Sequence, residues 1–173
     1  RHTEGHDAMS RIWAVPDDRM TALRRYVAVI ALGNLVWEFA QMPLYTLWRT
    51  GTGGEIAFAA LHCTGGDVLI ATASLGLAFL MAGRPAWPRE RFLAVAITSV
   101  TLGLSYTVFS EWLNSEVRRT WAYSDLMPTL PWLGTGLSPL AQWLVVPILA
   151  FRASRRPSYA ASAAVSLKNG TVS

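Results

Sequence analysis

Three carboxylates stand inside long apolar stretches of this 173-residue chain. Glu38, Asp67 and Glu111 cost about 3 kcal/mol each at the centre of a bilayer on insertion scales, so residues of this kind usually have a function. A buried carboxylic acid that faces a second carboxylate can give a proton to a substrate and take one back. The sequence therefore predicts acid–base catalysis, with Glu38 as the acid, Asp67 or Glu111 as the base and His62 as a proton relay.

Polar and aromatic side chains recur at helical spacing around these carboxylates. Gln41, Met42 and Tyr45 follow Glu38 on one helix face, and Ser138 and Gln142 are four residues apart. Because the surroundings are apolar, we expect an isoprenoid-like lipid that is isomerised, cyclised or hydrated, with aromatic rings stabilising a developing cation. The predicted substrate-binding residues are Trp37, Gln41, Tyr45, Tyr106, Asn114, Tyr123, Gln142 and Trp143.

The elements that must position these residues are membrane helices. The chain is 52% hydrophobic and only 15% charged, which is typical of an integral membrane protein. Four stretches have the roughly 20 apolar residues that a bilayer requires; they are 26–48, 56–82, 92–114 and 132–151. The sequence thus predicts an all-α bundle of four transmembrane helices. The polar run 62–67 could bend the second stretch or make it re-entrant.

The distribution of basic residues predicts the orientation. Arginine and lysine are concentrated before the first span, between the second and third, and after the fourth, whereas the opposite side carries only Arg49, Arg118 and Arg119. This bias predicts an inner, plasma-membrane protein with both termini in the cytoplasm. Residues 1–25 are then a polar cytoplasmic N-terminus, 152–173 a disordered cytoplasmic tail, and 115–131 an outer loop that folds over the bundle. With this orientation all three carboxylates lie in the outer half of the membrane, so the polar site is predicted in the outer half of the bundle.

The order of several residues resembles the emopamil-binding-protein (EXPERA-like) family. The similarity lies in the run 34–38 (Asn-Leu-Val-Trp-Glu) with Tyr45, in Glu111, and in Gln142-Trp143 with Pro147. Where the family motif has a histidine four residues before the first glutamate, this chain has Asn34. The resemblance implies a four- to five-helix membrane protein, and some members isomerise sterol double bonds through paired acidic residues and a tryptophan.

Other interpretations of the same residues stay open at the level of sequence. His62, Cys63, Asp67, Glu38 and Met42 could bind a metal, although no motif supplies two ligands from one helix face. A non-enzymatic assembly factor or small subunit of a membrane complex would also suit a small polytopic protein, and Glu111 could simply form an ion pair with Arg118. The partners we expect are membrane lipid and either a second copy or a membrane complex. The sequence predicts no nucleic-acid partner, no nucleotide cofactor and no resident metal.

Overall fold

A computed structural model describes residues 17–82 and 87–155, and this part of the chain is built from helices. The helices are α1 (Asp17–Gln41), α2 (Leu47–Thr50), α3 (Gly53–Ala82), α4 (Phe92–Trp112) and α5 (Leu137–Ser154). Helix α1 is followed by a 3₁₀ turn (Met42–Leu44), and α4 by a π-helical turn (Leu113–Val117). All but the short α2 are long and apolar enough to cross a membrane. The predicted all-α class and the four apolar helices are therefore confirmed, while the orientation stays a prediction.

Helix α1 is displaced toward the N-terminus relative to the first predicted span. It already begins at Asp17, and Ala22 is buried, so the end of the segment predicted as a polar lead-in packs as part of the helix. It ends at Gln41 instead of continuing to residue 48, because Pro43 follows two residues later. Proline has no N–H for the helix ladder and disfavours helical geometry in the residue before it.

Helix α3 is continuous through the polar run 62–67, so the second span is one unbroken helix and not a re-entrant segment. A capping box begins the helix: Thr52 N donates to Glu55 Oε2 at 2.7 Å, and Glu55 N donates to Thr52 Oγ1 at 3.3 Å. In apolar surroundings an unbroken helix satisfies every backbone N–H and C=O group. These hydrogen bonds outweigh the weak helix propensity of Gly65 and Gly66.

Helix α5 begins at Leu137, five residues after the predicted start of the fourth span. Residues 130–136 instead form a turn in which Leu130 N donates to Thr135 O and Gly134 adopts a positive φ of 64°. The helix also continues past residue 151 to Ser154, which is buried, so the predicted disordered tail does not begin at 152. The remainder of that tail, and residues 1–16, lie outside the described residues.

The two ends of the bundle differ in polarity. Toward the start of α1 and the end of α5, buried apolar side chains form a cluster that includes Tyr26, Ile30, Val95, Val146 and Phe151. The opposite end, formed by residues 42–52 and 113–136 and called the loop end below, contains the buried polar side chains of the next section. The polar asymmetry predicted from the sequence is therefore present in the fold.

The loop 115–131 folds over the end of the bundle that contains the buried polar side chains, as predicted. Thr46 N donates to Ala122 O at 2.9 Å, and Ser124 N donates to Leu44 O at 2.9 Å. These bonds pair the loop with the segment after α1, and the Tyr45 and Tyr123 rings meet beside them with centroids 5.5 Å apart. The segment 122–124 is consequently held as a cover over the bundle.

Candidate active site

A cavity of about 340 Å³ lies inside the bundle near the loop end. Side chains from all four long helices line it, together with Trp121 from the covering loop. Most of the predicted site residues lie in this lining: Glu38, Gln41, Tyr45, His62, Asp67, Tyr106, Glu111, Asn114, Gln142 and Trp143. The four predicted catalytic residues, which come from three different helices, thus surround one space.

Gln142 is the centre of the hydrogen-bond network along one wall of the cavity. Its side-chain nitrogen lies 2.9 Å from Asn34 Oδ1, 2.9 Å from Glu38 Oε1 and 3.0 Å from Asp67 Oδ2. Gln41 Nε2 donates to the same Glu38 oxygen at 2.9 Å and lies 3.2 Å from Gln142 Oε1. Glu38, Gln41 and Gln142 are each at most 5% exposed, so these bonds are shielded from solvent.

The hydrogen count of this network favours a proton on the carboxyl pair. An amide nitrogen has two hydrogens, so Gln142 can satisfy only two of the three oxygens around it. Glu38 Oε1 and Asp67 Oδ2 both lie within 3.0 Å of this one nitrogen, so the two carboxyl groups are close neighbours. No lysine or arginine lines the cavity among the described residues. Two carboxylates held together in an apolar interior without a cation repel each other, and one proton on the pair removes that repulsion.

Glu111 is held by the covering loop. The Tyr123 hydroxyl donates to Glu111 Oε2 and accepts from Gly136 N at 3.1 Å. Burial, followed by the contact with Glu111, raises the pKa of Tyr123 above its usual value, so the phenol stays protonated and acts as the donor. Burial likewise raises the pKa of Tyr45, and Glu111 adds to the shift. In the described part of the chain Glu111 thus pairs with a tyrosine, and the ion pair with Arg118 does not form.

Two predicted substrate-binding residues lie outside the cavity lining. The Trp37 indole N–H donates to Ser138 Oγ at 3.1 Å, and Ser138 Oγ donates to Gln41 Oε1 at 2.8 Å. Trp37 therefore orients Gln41 through Ser138, and Tyr123 orients Glu111. Neither side chain reaches the space that a substrate would occupy, because Trp37 points toward α5 and Tyr123 is engaged by backbone and carboxyl.

His62 occupies the rim of the cavity. It is exposed on the bundle surface and stacks on Phe58, with ring centroids 5.6 Å apart. Within residues 17–82 and 87–155 it makes no hydrogen bond to Glu38, Asp67 or Glu111 like those described above. A proton relay through His62 would therefore need a bridging group such as water.

Several residues of the site were not predicted. Asn34 accepts from Gln142 and is itself tethered by donating to Ile30 O at 2.9 Å. Its position one turn before Glu38 was the signal that could have identified it. The Trp121 indole N–H is buried without a hydrogen-bond partner among the described residues, although it is near enough to Glu111 to interact electrostatically. Gly66 also lines the cavity.

The arrangement gives little support to a metal centre. Among the described residues, no three histidine, cysteine or acidic side chains are placed to hold one ion. Cys63 and Met42 line the cavity, but both stand among side chains already engaged in the amide network.

Comparison with known proteins gives no information about the site. The chain matches no protein-family model, no curated protein and no solved structure. The resemblance to the emopamil-binding-protein family therefore stays a prediction, and the function has to be argued from the geometry.

Proposed function

We propose that this protein is a membrane-embedded acid–base enzyme that moves a double bond in, or cyclises or hydrates, an uncharged isoprenoid-like lipid. The observation that carries the proposal is that Glu38 and Asp67 lie on one Gln142 amide, 2.9 and 3.0 Å from its nitrogen, in the wall of a cavity of about 340 Å³ inside four apolar helices. A carboxyl pair that carries one proton is suited to giving one and receiving one within a single catalytic cycle.

The proposed isomerisation balances without a cofactor. Glu38 donates its proton to one alkene carbon, the π electrons form the new C–H bond, and the other alkene carbon becomes cationic. Asp67 then removes a proton from a neighbouring carbon, and the electrons of that C–H bond form the new double bond. The proton returns from Asp67 to Glu38, because the two carboxyl groups lie side by side on the Gln142 amide. Tyr106 and Trp143, which line the cavity, present aromatic faces that stabilise a cation.

The charge of the cavity supports an uncharged substrate. Its lining contains Glu38, Asp67 and Glu111, and no lysine or arginine occurs among the described lining residues. A phosphate or carboxylate group would meet like charge there without a compensating cation. The proposal therefore excludes prenyl diphosphates and favours alkenes, sterol-like rings and polyprenyl alcohols.

The inward direction of the polar groups argues against the alternative of a non-enzymatic subunit. A partner helix would contact the outer surface of the bundle, which carries large apolar residues such as Leu32, Val36 and Leu69. The amide and carboxyl groups instead face a hollow within one chain. That arrangement is expected for a small-molecule site and is not required for helix association.

Proton exchange tests the proposal directly. We would reconstitute the protein in phosphatidylcholine vesicles that contain the lipids co-purified with it, and also geranylgeraniol and squalene as probes, in D₂O. Deuterium at carbon should appear in one lipid class by mass spectrometry. Glu38→Gln should lower that rate by about 100-fold or more, the usual contribution of a general acid.

Glu55→Gln is the matched control, because Glu55 is exposed at the start of α3 and glutamine can also complete its capping box. It should exchange deuterium at the wild-type rate. Unchanged exchange in Glu38→Gln, or no exchange into any lipid by the wild-type protein, would contradict the proposal.

A further inference from the structure

We propose that the cavity opens sideways between α3 and α4, and that Gly66 forms the floor of this opening, through which a lipid chain enters directly from the bilayer. This inference rests on the proposed function, since it specifies the route and the pose of the same substrate. In this proposal, the absence of a side chain at Gly66 determines which lipid chains can enter.

The exposed members of the cavity lining locate the opening. Most lining residues are buried or half-buried, and the two exposed ones are His62 on α3 and Tyr106 on α4. Tyr106 is 48% exposed, although Thr107 beside it is buried. Because α3 and α4 are direct neighbours in the bundle, the cavity reaches the surface along their shared edge.

The α3 side of this edge is built from small residues. Ala59, Cys63 and Gly66 line the cavity at spacings of four and three residues. A Cβ atom built on Gly66 would meet nothing within 4 Å, whereas one on Gly103 would lie 2.2 Å from the Trp143 ring. Gly103 is thus required for close helix packing, while Gly66 leaves space that no neighbouring side chain uses.

The covering loop closes the other route. Tyr45 and Trp121 line the cavity beneath the segment 122–124, which is hydrogen-bonded across the loop end. A water-soluble compound would have to displace this cover, but a membrane lipid reaches the side opening without any rearrangement. The lipid would place its reacting double bond beside Glu38 and Asp67 and leave its tail in the bilayer between α3 and α4.

Photo-crosslinking tests the route independently of catalysis. The probe is a geranylgeraniol analogue that carries a diazirine near its hydroxyl end, incorporated in phosphatidylcholine vesicles with the full-length protein. Peptide mapping of the wild-type protein should find crosslinks on Tyr106 and Ile70. Gly66→Leu should lower this crosslinking by about tenfold or more, the discrimination typical of one or two methylene groups too many in an apolar pocket.

Gly65→Leu is the matched control, because Gly65 also has open space around a built Cβ but is exposed and does not line the cavity. It should crosslink like the wild type. Tyr106→Ala, which widens the opening from the α4 side, should raise crosslinking at Ile70 and keeps the test valid if Gly66→Leu proves unstable. Equal crosslinking in Gly66→Leu and wild type, an equal loss in both glycine variants, or no cavity crosslink in the wild type would each overturn the inference.

The two proposals can fail separately. A probe that enters through the side opening without deuterium exchange would leave the route intact and refute the enzyme. Exchange that is unaffected by Gly66→Leu would leave the enzyme intact and refute the route.

Discussion

At the scale of single residues, the side-chain amide of Gln142 is the shared hydrogen-bond donor of the Glu38 and Asp67 carboxyl groups. Gln142 contacts Asn34, Glu38 and Asp67 from a position that is 2% exposed, and Gln41 supports it through a second contact. Neutral donors of this kind stabilise a carboxylate without introducing a cation. The pair can consequently remain in an apolar protein interior with a single proton and no ion-pair partner.

The hydroxyl of Tyr123 provides a residue-scale prediction. Tyr123→Phe removes the donor to Glu111 and leaves Gly136 N without its acceptor, so we expect a loss of about 1 to 3 kcal/mol in the free energy of unfolding. Thermal unfolding in mild detergent measures this loss. Tyr106→Phe is the control, because Tyr106 is exposed and makes no hydrogen bond comparable to that of Tyr123 in the described residues.

The pH dependence of this difference follows from the raised pKa of Tyr123. A raised folded-state pKa means that the stabilisation is complete below the unfolded value, about 10 for tyrosine, and is lost only as the pH rises through the folded value. The gap between wild type and Tyr123→Phe should therefore be the same at pH 7 and pH 9. A gap that shrinks across this interval would contradict the assignment of Tyr123 as the donor.

At the scale of elements, the contact between α4 and α5 determines the shape of the cavity. Trp143 lies against the backbone of α4 at Gly103, and this places its indole beside Asp67. Pro147, one turn later in α5, cannot donate to the carbonyl of Trp143, so the helix is weakened next to the same contact. The tryptophan is thus positioned by packing on glycine and not by a polar partner alone.

Gly103→Ala tests this contact. The added methyl would lie 2.2 Å from the Trp143 ring, so either the helices separate or the ring moves. We expect a destabilisation of about 1 to 3 kcal/mol, as for other overpacked interiors, together with reduced deuterium exchange. Gly76→Ala on α3 is the control, because its Cβ meets nothing within 4 Å, and it should be neutral or slightly stabilising. Equal unfolding temperatures of the two variants would show that Trp143 is not held in this way.

At the scale of the whole molecule, the basic residues predict that the loop end faces outward. Cysteine labelling in a Cys63→Ala background tests this orientation. A membrane-impermeant maleimide should label Trp132→Cys in intact cells, since Trp132 is 94% exposed, and should label Glu90→Cys only after the membrane is permeabilised. The reverse pattern would place the proposed catalytic pair nearer the cytoplasm and would refute the predicted N-in, C-in topology.

The sequence by itself determined the helical class, the number of apolar helices and the concentration of polar groups at one end. Each of these depends on local properties, namely the length of an apolar run and the depth at which a carboxylate interrupts it. Glu38, Asp67 and Glu111 could be named because any charge in such a run is costly. The predicted helix ends were less accurate. The end of α1 is set locally by Pro43, which the apolar pattern does not take into account, whereas the start of α5 depends on the hydrogen-bonded turn at residues 130–136.

Only the tertiary structure decided which polar side chains meet. The spacing of Trp37 and Tyr123 is compatible with a cavity-lining role, but helix rotation directs Trp37 to Ser138, and the covering loop brings Tyr123 to Glu111. The open space beside Gly66 was equally invisible, because a glycine that permits close packing and one that lines a cavity have the same local sequence signal. Apolar helix surfaces differ little from one another, so rotation and pairing are determined by the summed contacts of the whole bundle.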